Sequence, residues 1–128
     1  TVQVTEKNFD SVVKQGIVVL DFWAAWCGPC RAFAPTFEAA AARNPSAVFG
    51  KVNTEQEPGL AAAFGIRAIP TLAVLRDGVI LALQPGMVPA AALDELVKKV
   101  RALDMNEVKK SIAASRPSPA AAATTGGA

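Results

Sequence analysis

The chain of 128 residues contains no histidine. That absence removes catalysis by a histidine base, by Cys–His or Ser–His pairs, and any metal site built on imidazole. Cysteine is scarce too: two residues cannot make the disulfide framework of a small secreted scaffold. Long apolar runs are missing. Ile17–Leu20 and Phe22–Cys27 fall far short of the ~20 residues that cross a bilayer, so no membrane span and no membrane partner is expected. Nor is there a basic stripe. Residues 1–97 hold seven Lys/Arg against nine Asp/Glu, and residues 98–128 hold six against two, giving −2 and +4. The part with a folding pattern is therefore slightly acidic, and nucleic-acid binding is set aside. The first residues carry neither the basic stretch nor the apolar segment of a signal peptide, and a cytoplasmic location is expected.

What remains is a chain 52% hydrophobic and 19% charged, enough for one hydrophobic core and too short for two. Alanine supplies 26 of the residues, so part of that apolar content is weak. Thr5, Asn8 and the face Phe9, Val12, Val13 read as a short capped helix ending at Gly16. Ile17–Phe22, apolar except for Asp21, suits a central strand buried on both faces. A helix follows to about Arg43, with Phe33, Phe37, Ala40 and Ala41 inward and a kink expected at Pro35. Ala47–Asn53 reads as a strand and Pro58–Phe64 as a short helix stopped by Gly65. Thr71–Leu75 and Val79–Leu83 read as a hairpin turned by Asp77-Gly78. Pro89–Leu103 closes as a helix with Leu93, Leu96, Val97 and Val100 on one face. With a further strand at Val2–Val4, the alternation implies an α/β fold, a mixed sheet covered by helices on both sides. The domain is expected over residues 1–103 and a short helical extension over 104–115, with Met105, Val108 and Ile112 on one face. Residues 116–128, rich in Ala, Pro, Thr and Gly, are expected to form a disordered tail.

The two cysteines form Cys27-Gly28-Pro29-Cys30. Such a pair can be a redox dithiol, half of a zinc site or two core cysteines. Zinc needs four ligands, so two sulfurs without histidine would require a second chain. Core cysteines belong inside an apolar element, whereas Gly28-Pro29 follows a strand and opens a helix. There the unpaired N–H groups and the helix dipole favour thiolate over thiol. Thiolate is the attacking species in disulfide exchange, which makes Cys27 the expected nucleophile and Cys30 the expected resolving cysteine.

Trp-Cys-Gly-Pro-Cys, the upstream Leu-Asp-Phe-Trp-Ala and the downstream Gly-Ile-Arg-Ala-Ile-Pro-Thr resemble the thioredoxin family from about Thr5 to Val100. The resemblance implies a thioredoxin fold with a five-stranded sheet in the order 1-3-2-4-5 and four flanking helices. It implies that Asp21 is a buried acid beneath the dithiol, with Lys51 its partner. It also implies that Pro70 is a cis-proline facing the sulfurs, that Trp26 lies beside the nucleophile, and that Gly86 is a groove glycine. Ile69, Trp26, Pro70 and Gly86 would then bind substrate, and Gly28-Pro29 would tune the redox balance toward reduction. Lys51 carries no signal of its own. Asp21 does, because a lone acid in an apolar run is costly to bury without a proton or a partner. Arg67 reads as a solvated charge, and Trp23 as a core residue. Met87 after Gly86 departs from the small residue common in the family, which puts substrate preference at that edge in question.

The function expected is a protein-disulfide reductase cycling through a mixed disulfide. No cofactor would be bound, and electrons would come from NADPH through thioredoxin reductase. That reductase and disulfide-containing client proteins are the expected partners of a monomer. The alternative is a client-binding or chaperone-like module of the same fold with little turnover, against which the intact cysteine pair speaks.

Overall fold

The computed structural model describes residues 1–115. Five strands, β1 (Val2–Gln3), β2 (Ile17–Trp23), β3 (Val48–Asn53), β4 (Thr71–Arg76) and β5 (Val79–Pro85), form one sheet in the order β1-β3-β2-β4-β5. Five helices accompany them: α1 (Phe9–Val13), α2 (Gly28–Arg43), α3 (Pro58–Ala63), α4 (Ala90–Ala102) and α5 (Met105–Ser115). β1 and β2 run parallel to β3, while β4 runs antiparallel to β2 and β5 antiparallel to β4. This is the thioredoxin fold, with α5 added after the fourth helix.

Alternation along the two central strands divides the core. Ile17, Val19, Leu72 and Val74 face Phe33, Phe37 and Ala40 of α2 and Leu93, Val97 and Val100 of α4. Val18, Leu20, Phe22, Ala73 and Leu75 face Val12 and Val13 of α1 and Leu60 and Phe64 around α3. A strand apolar at every position but one can serve both layers, which is why β2 is buried from Ile17 to Phe22.

Several boundaries differ from the sequence expectation. α1 begins at Phe9, because the Asn8 side chain accepts from the Thr5 backbone N–H at 2.7 Å and shapes a turn instead of capping a helix at Thr5. α2, by contrast, contains Pro35 and ends at Arg43 as expected. β4 and β5 extend to Arg76 and Pro85, closing the hairpin to the two residues Asp77 (φ 53°) and Gly78 (φ 78°). Two successive left-handed residues match the right-handed twist of the flanking strands, which explains the Asp-Gly choice.

The register also shows where a site can form. Ile17 lies opposite Arg76 and Phe22 opposite Thr71, so the C-terminal end of β2, the start of α2 and the loop before β4 meet at one end of the sheet. α5 lies at the other end, where Lys109, Ile112 and Ala113 line a cavity with Val79.

Candidate active site

At the first of these ends β2 stops at Trp23, and a tight turn leads to Cys27, whose backbone N–H donates to the Ala24 carbonyl at 3.2 Å. Cys27 is the N-cap of α2, and Gly28 and Pro29 begin the helix. Proline costs nothing there, because its missing N–H would have had no helical partner. Cys27 and Cys30 are joined as a disulfide, with Cα atoms 5.2 Å apart. The Cys30 N–H donates to Cys27 Sγ at 3.2 Å. Both residues are largely buried, at 4% and 2% exposure, so burial does not tell the two sulfurs apart. The backbone does: only Cys27 receives an N–H from the first turn.

The Ile69–Pro70 peptide bond is cis, and the Ile69 carbonyl oxygen lies 3.8 Å from Cys27 Sγ. The Pro70 carbonyl in turn accepts from the Gly86 N–H at 2.8 Å, tying the end of β5 to this loop. Gly86 has φ +86°, and a Cβ built on it would meet nothing within 4 Å, so backbone conformation and not space calls for glycine. Trp26 is 68% exposed and shares a cavity of about 240 Å³ with Ile69, Ile66, Ala61, Thr54 and Arg67. Met87 is exposed beyond Gly86 and lines a separate cavity beside the start of α4.

Asp21 lies on β2, two residues before the strand ends. It is 1% exposed, and among the described residues neither carboxyl oxygen has a hydrogen-bond partner. Burial pushes Asp21 up from 3.8 to about 6, the Lys51 charge pulls it down, and Glu38 pushes it up. Lys51 is the residue paired with Asp21 in the parallel β2–β3 register, and its Nζ lies 4.9 Å from the centroid of the Trp23 ring. Trp23, expected in the core, is half-buried and packs against Ala24, Cys27 and Cys30.

This arrangement is one protein family's. A family model for thioredoxin matches residues 1–101. The chain belongs to the thioredoxin family. It is 52% identical over 114 residues to a Streptomyces coelicolor protein to which the name thioredoxin 2 is provisionally attached, covering 88% of this chain and 85% of that one. Against the thioredoxin of Bacillus subtilis it is 36% identical over 99 residues, or 77% and 95% of the two chains. A solved thioredoxin variant from Halobacterium salinarum superposes with a TM-score of 0.75 at 30% identity, covering 80% of this chain and 92% of that one. As a thioredoxin, the chain is a thiol-disulfide oxidoreductase, of a family that works with thioredoxin reductase and disulfide clients. Thioredoxins need no prosthetic group, and no cluster of three or more His, Cys, Asp or Glu suited to a metal occurs among the described residues.

The fold thus joins Cys27, Cys30, Ile69, Pro70 and Gly86 by short contacts and sets Trp26 at their rim. Asp21 and Lys51 form a second group on the neighbouring strands β2 and β3, and no hydrogen bond links Asp21 to either sulfur. Glu38, Ala61 and Thr54 carry no motif. Glu38 acts on Asp21 from α2, two turns beyond Cys30, a helical spacing that is the only trace of it in the sequence. Ile66, Ala61 and Thr54 join the cavity beside Trp26 only through tertiary packing.

Proposed function

We propose that this thioredoxin reduces protein disulfides through a mixed disulfide on Cys27. The carrying observation is the placement of Cys27 Sγ at the N-terminus of α2, accepting the Cys30 N–H at 3.2 Å. In the reduced protein the same N–H and the helix dipole favour a thiolate at Cys27. That thiolate attacks one sulfur of a client disulfide. A Cys27–client S–S bond forms, the client S–S bond breaks, and one client thiolate leaves. Cys30 then gives its proton to Asp21 through an intervening water and attacks Cys27 Sγ. The Cys27–Cys30 bond forms, the second client thiolate leaves, and two electrons have passed to the client. Thioredoxin reductase returns two electrons from NADPH.

In this scheme Lys51 moderates Asp21, and Gly28-Pro29 place no charged or titrating side chain between the two cysteines. A histidine between the cysteines would stabilise the thiolate further and make the protein more oxidising. Trp26, Ile69, Pro70 and Gly86 bind the client's backbone and the side chains next to its cysteine. The unit doing this is residues 1–103, acting as a monomer, with 104–115 as an extension. A reductase of this kind works where thiols are kept reduced, which makes the cytoplasm its proposed location.

Mutation of each cysteine tests the scheme. Cys30→Ser should capture insulin or other disulfide-bearing clients on Cys27 as mixed disulfides, and Cys27→Ser should capture almost none. Iodoacetamide near neutral pH should label Cys27 ahead of Cys30 in the reduced wild type. Preferential labelling of Cys30 would reverse the two roles. Absence of NADPH-coupled turnover with a thioredoxin reductase would leave only client binding.

A further inference from the structure

The scheme above gives Trp23 no role, yet Trp23 touches the group that most opposes the burial of Asp21. Lys51 stands beside Asp21 in the β2–β3 register, and its flexible stem could carry the ammonium to the carboxyl, to water or onto a neighbouring ring. It lies over the Trp23 ring, 4.9 Å from the centroid. No ion pair joins it to Asp21, and among the described residues both carboxyl oxygens are without a hydrogen-bond partner. An unsupported lysine extends its ammonium into water. The negative face of an indole compensates the hydration lost when that ammonium stays near a buried site.

The geometry points to Trp23 as a positioning residue: its ring keeps the Lys51 ammonium beside Asp21 and out of bulk water, where its charge acts on the carboxyl while both oxygens stay open to a proton. This rests on the reading of Asp21 as acceptor of the Cys30 proton. The charged groups that act on Asp21 are Lys51 from β3 and Glu38 from α2. β4 places Leu72 opposite it, and α4 brings Leu93 and Val97 to the same side of the sheet. The two sulfurs lie at the head of α2. Lys51 is therefore the cation that moderates Asp21, and its position depends on the ring.

Carboxyl-carbon NMR titration of Asp21 in the oxidised protein tests this without any turnover. Trp23→Leu should release Lys51 to water and tighten proton binding at Asp21 by about three- to tenfold, the coupling expected of groups in contact. Lys51→Gln should tighten it similarly. Added to Lys51→Gln, the Trp23→Leu change should do little more. Trp23→Phe, which keeps a weaker ring face, should fall between wild type and Trp23→Leu, and it carries the same comparison if the leucine variant does not fold. Looser proton binding, no change, or an equal shift with and without Lys51 would overturn the proposal. Insulin-reduction rates against pH give the second readout, and their limb should move with the titration midpoint. A midpoint that moves while the rate profile stays fixed upholds the hold of Trp23 on Lys51 and rejects Asp21 as the proton acceptor.

Discussion

Asp21 shows how the burial of one side chain makes stability depend on pH. Its folded pKa of about 6 lies above the ordinary 3.8, so the native state keeps a proton that the unfolded chain releases. Stability from this group is complete below pH 3.8, falls as pH rises through 6, and above that is lower by about 3 kcal/mol. Asp21→Asn removes the titration. The variant should gain about 2 kcal/mol more, relative to wild type, at pH 8 than at pH 4, where part of the transition has already occurred. Urea melts of the oxidised proteins at both pH values measure the difference. Equal gains would mean that the carboxylate is solvated or fully paired in solution. If Asp21 takes the Cys30 proton as proposed, insulin reduction by the same variant should slow, because an amide cannot accept it. The expensive burial of Asp21 was legible from its place in the run Val18–Phe22. The partnership with Lys51 was not, because strand register joins residues 30 positions apart in sequence.

Among the elements, α2 and the β4–β5 hairpin carry their own instructions, whereas α4 depends on a distant strand. Its C-cap residue, Leu103, closes the last turn with its backbone N–H on the Val100 carbonyl and has no polar side chain to serve as a side-chain cap. Arg76, at the end of β4, supplies one: Nη1 donates to the carbonyls of Val100, Arg101 and Leu103 at 2.8, 3.1 and 2.9 Å. A cation there also meets the negative end of the helix dipole. Arg76→Met keeps the apolar stem and removes the donors. It should cost about 1–3 kcal/mol, seen as a lower urea midpoint at unchanged slope. An unshifted midpoint would mean that water replaces the guanidinium fully. In sequence Arg76 reads only as a residue flanking the turn, since nothing local connects it to the end of a helix more than 20 residues later.

Across the whole molecule the two ends of the sheet do different work. The dithiol sits where β2 ends, and α5 sits by Arg76 and Val79 at the opposite end, beyond the 1–101 span of the thioredoxin match. Met105 at the start of α5 is buried, and Val108 and Ile112 are half-buried. Ending the chain after Leu103 should therefore expose apolar surface and cost about 1–3 kcal/mol, with insulin reduction at 25 °C close to that of the full chain. Removing only residues 117–128 should leave the melting temperature unchanged, since their composition offers few side chains to bury. Those residues and their expected disorder lie outside the described part of the chain. Thermal melts of both truncations separate the two cases. A fall of many degrees for the shorter deletion would show that the tail packs on the domain.

Period and composition by themselves determined the alternating elements, the doubly buried β2, the Asp77-Gly78 turn and the dithiol at a helix start. Each of these is written within a few residues of chain, where hydrophobic spacing and backbone preference act directly. The strand order and the roles beyond the cysteines came from the resemblance to thioredoxins, not from periodicity. Tertiary structure alone decided that Ile69 would approach Cys27, that Gly86 would bond Pro70, and that Lys51 would rest on Trp23. These contacts join segments far apart along the chain. They exist only once the two hydrophobic layers have fixed the strands in register, because neither a carbonyl nor a lysine stem has a local preference for its distant partner.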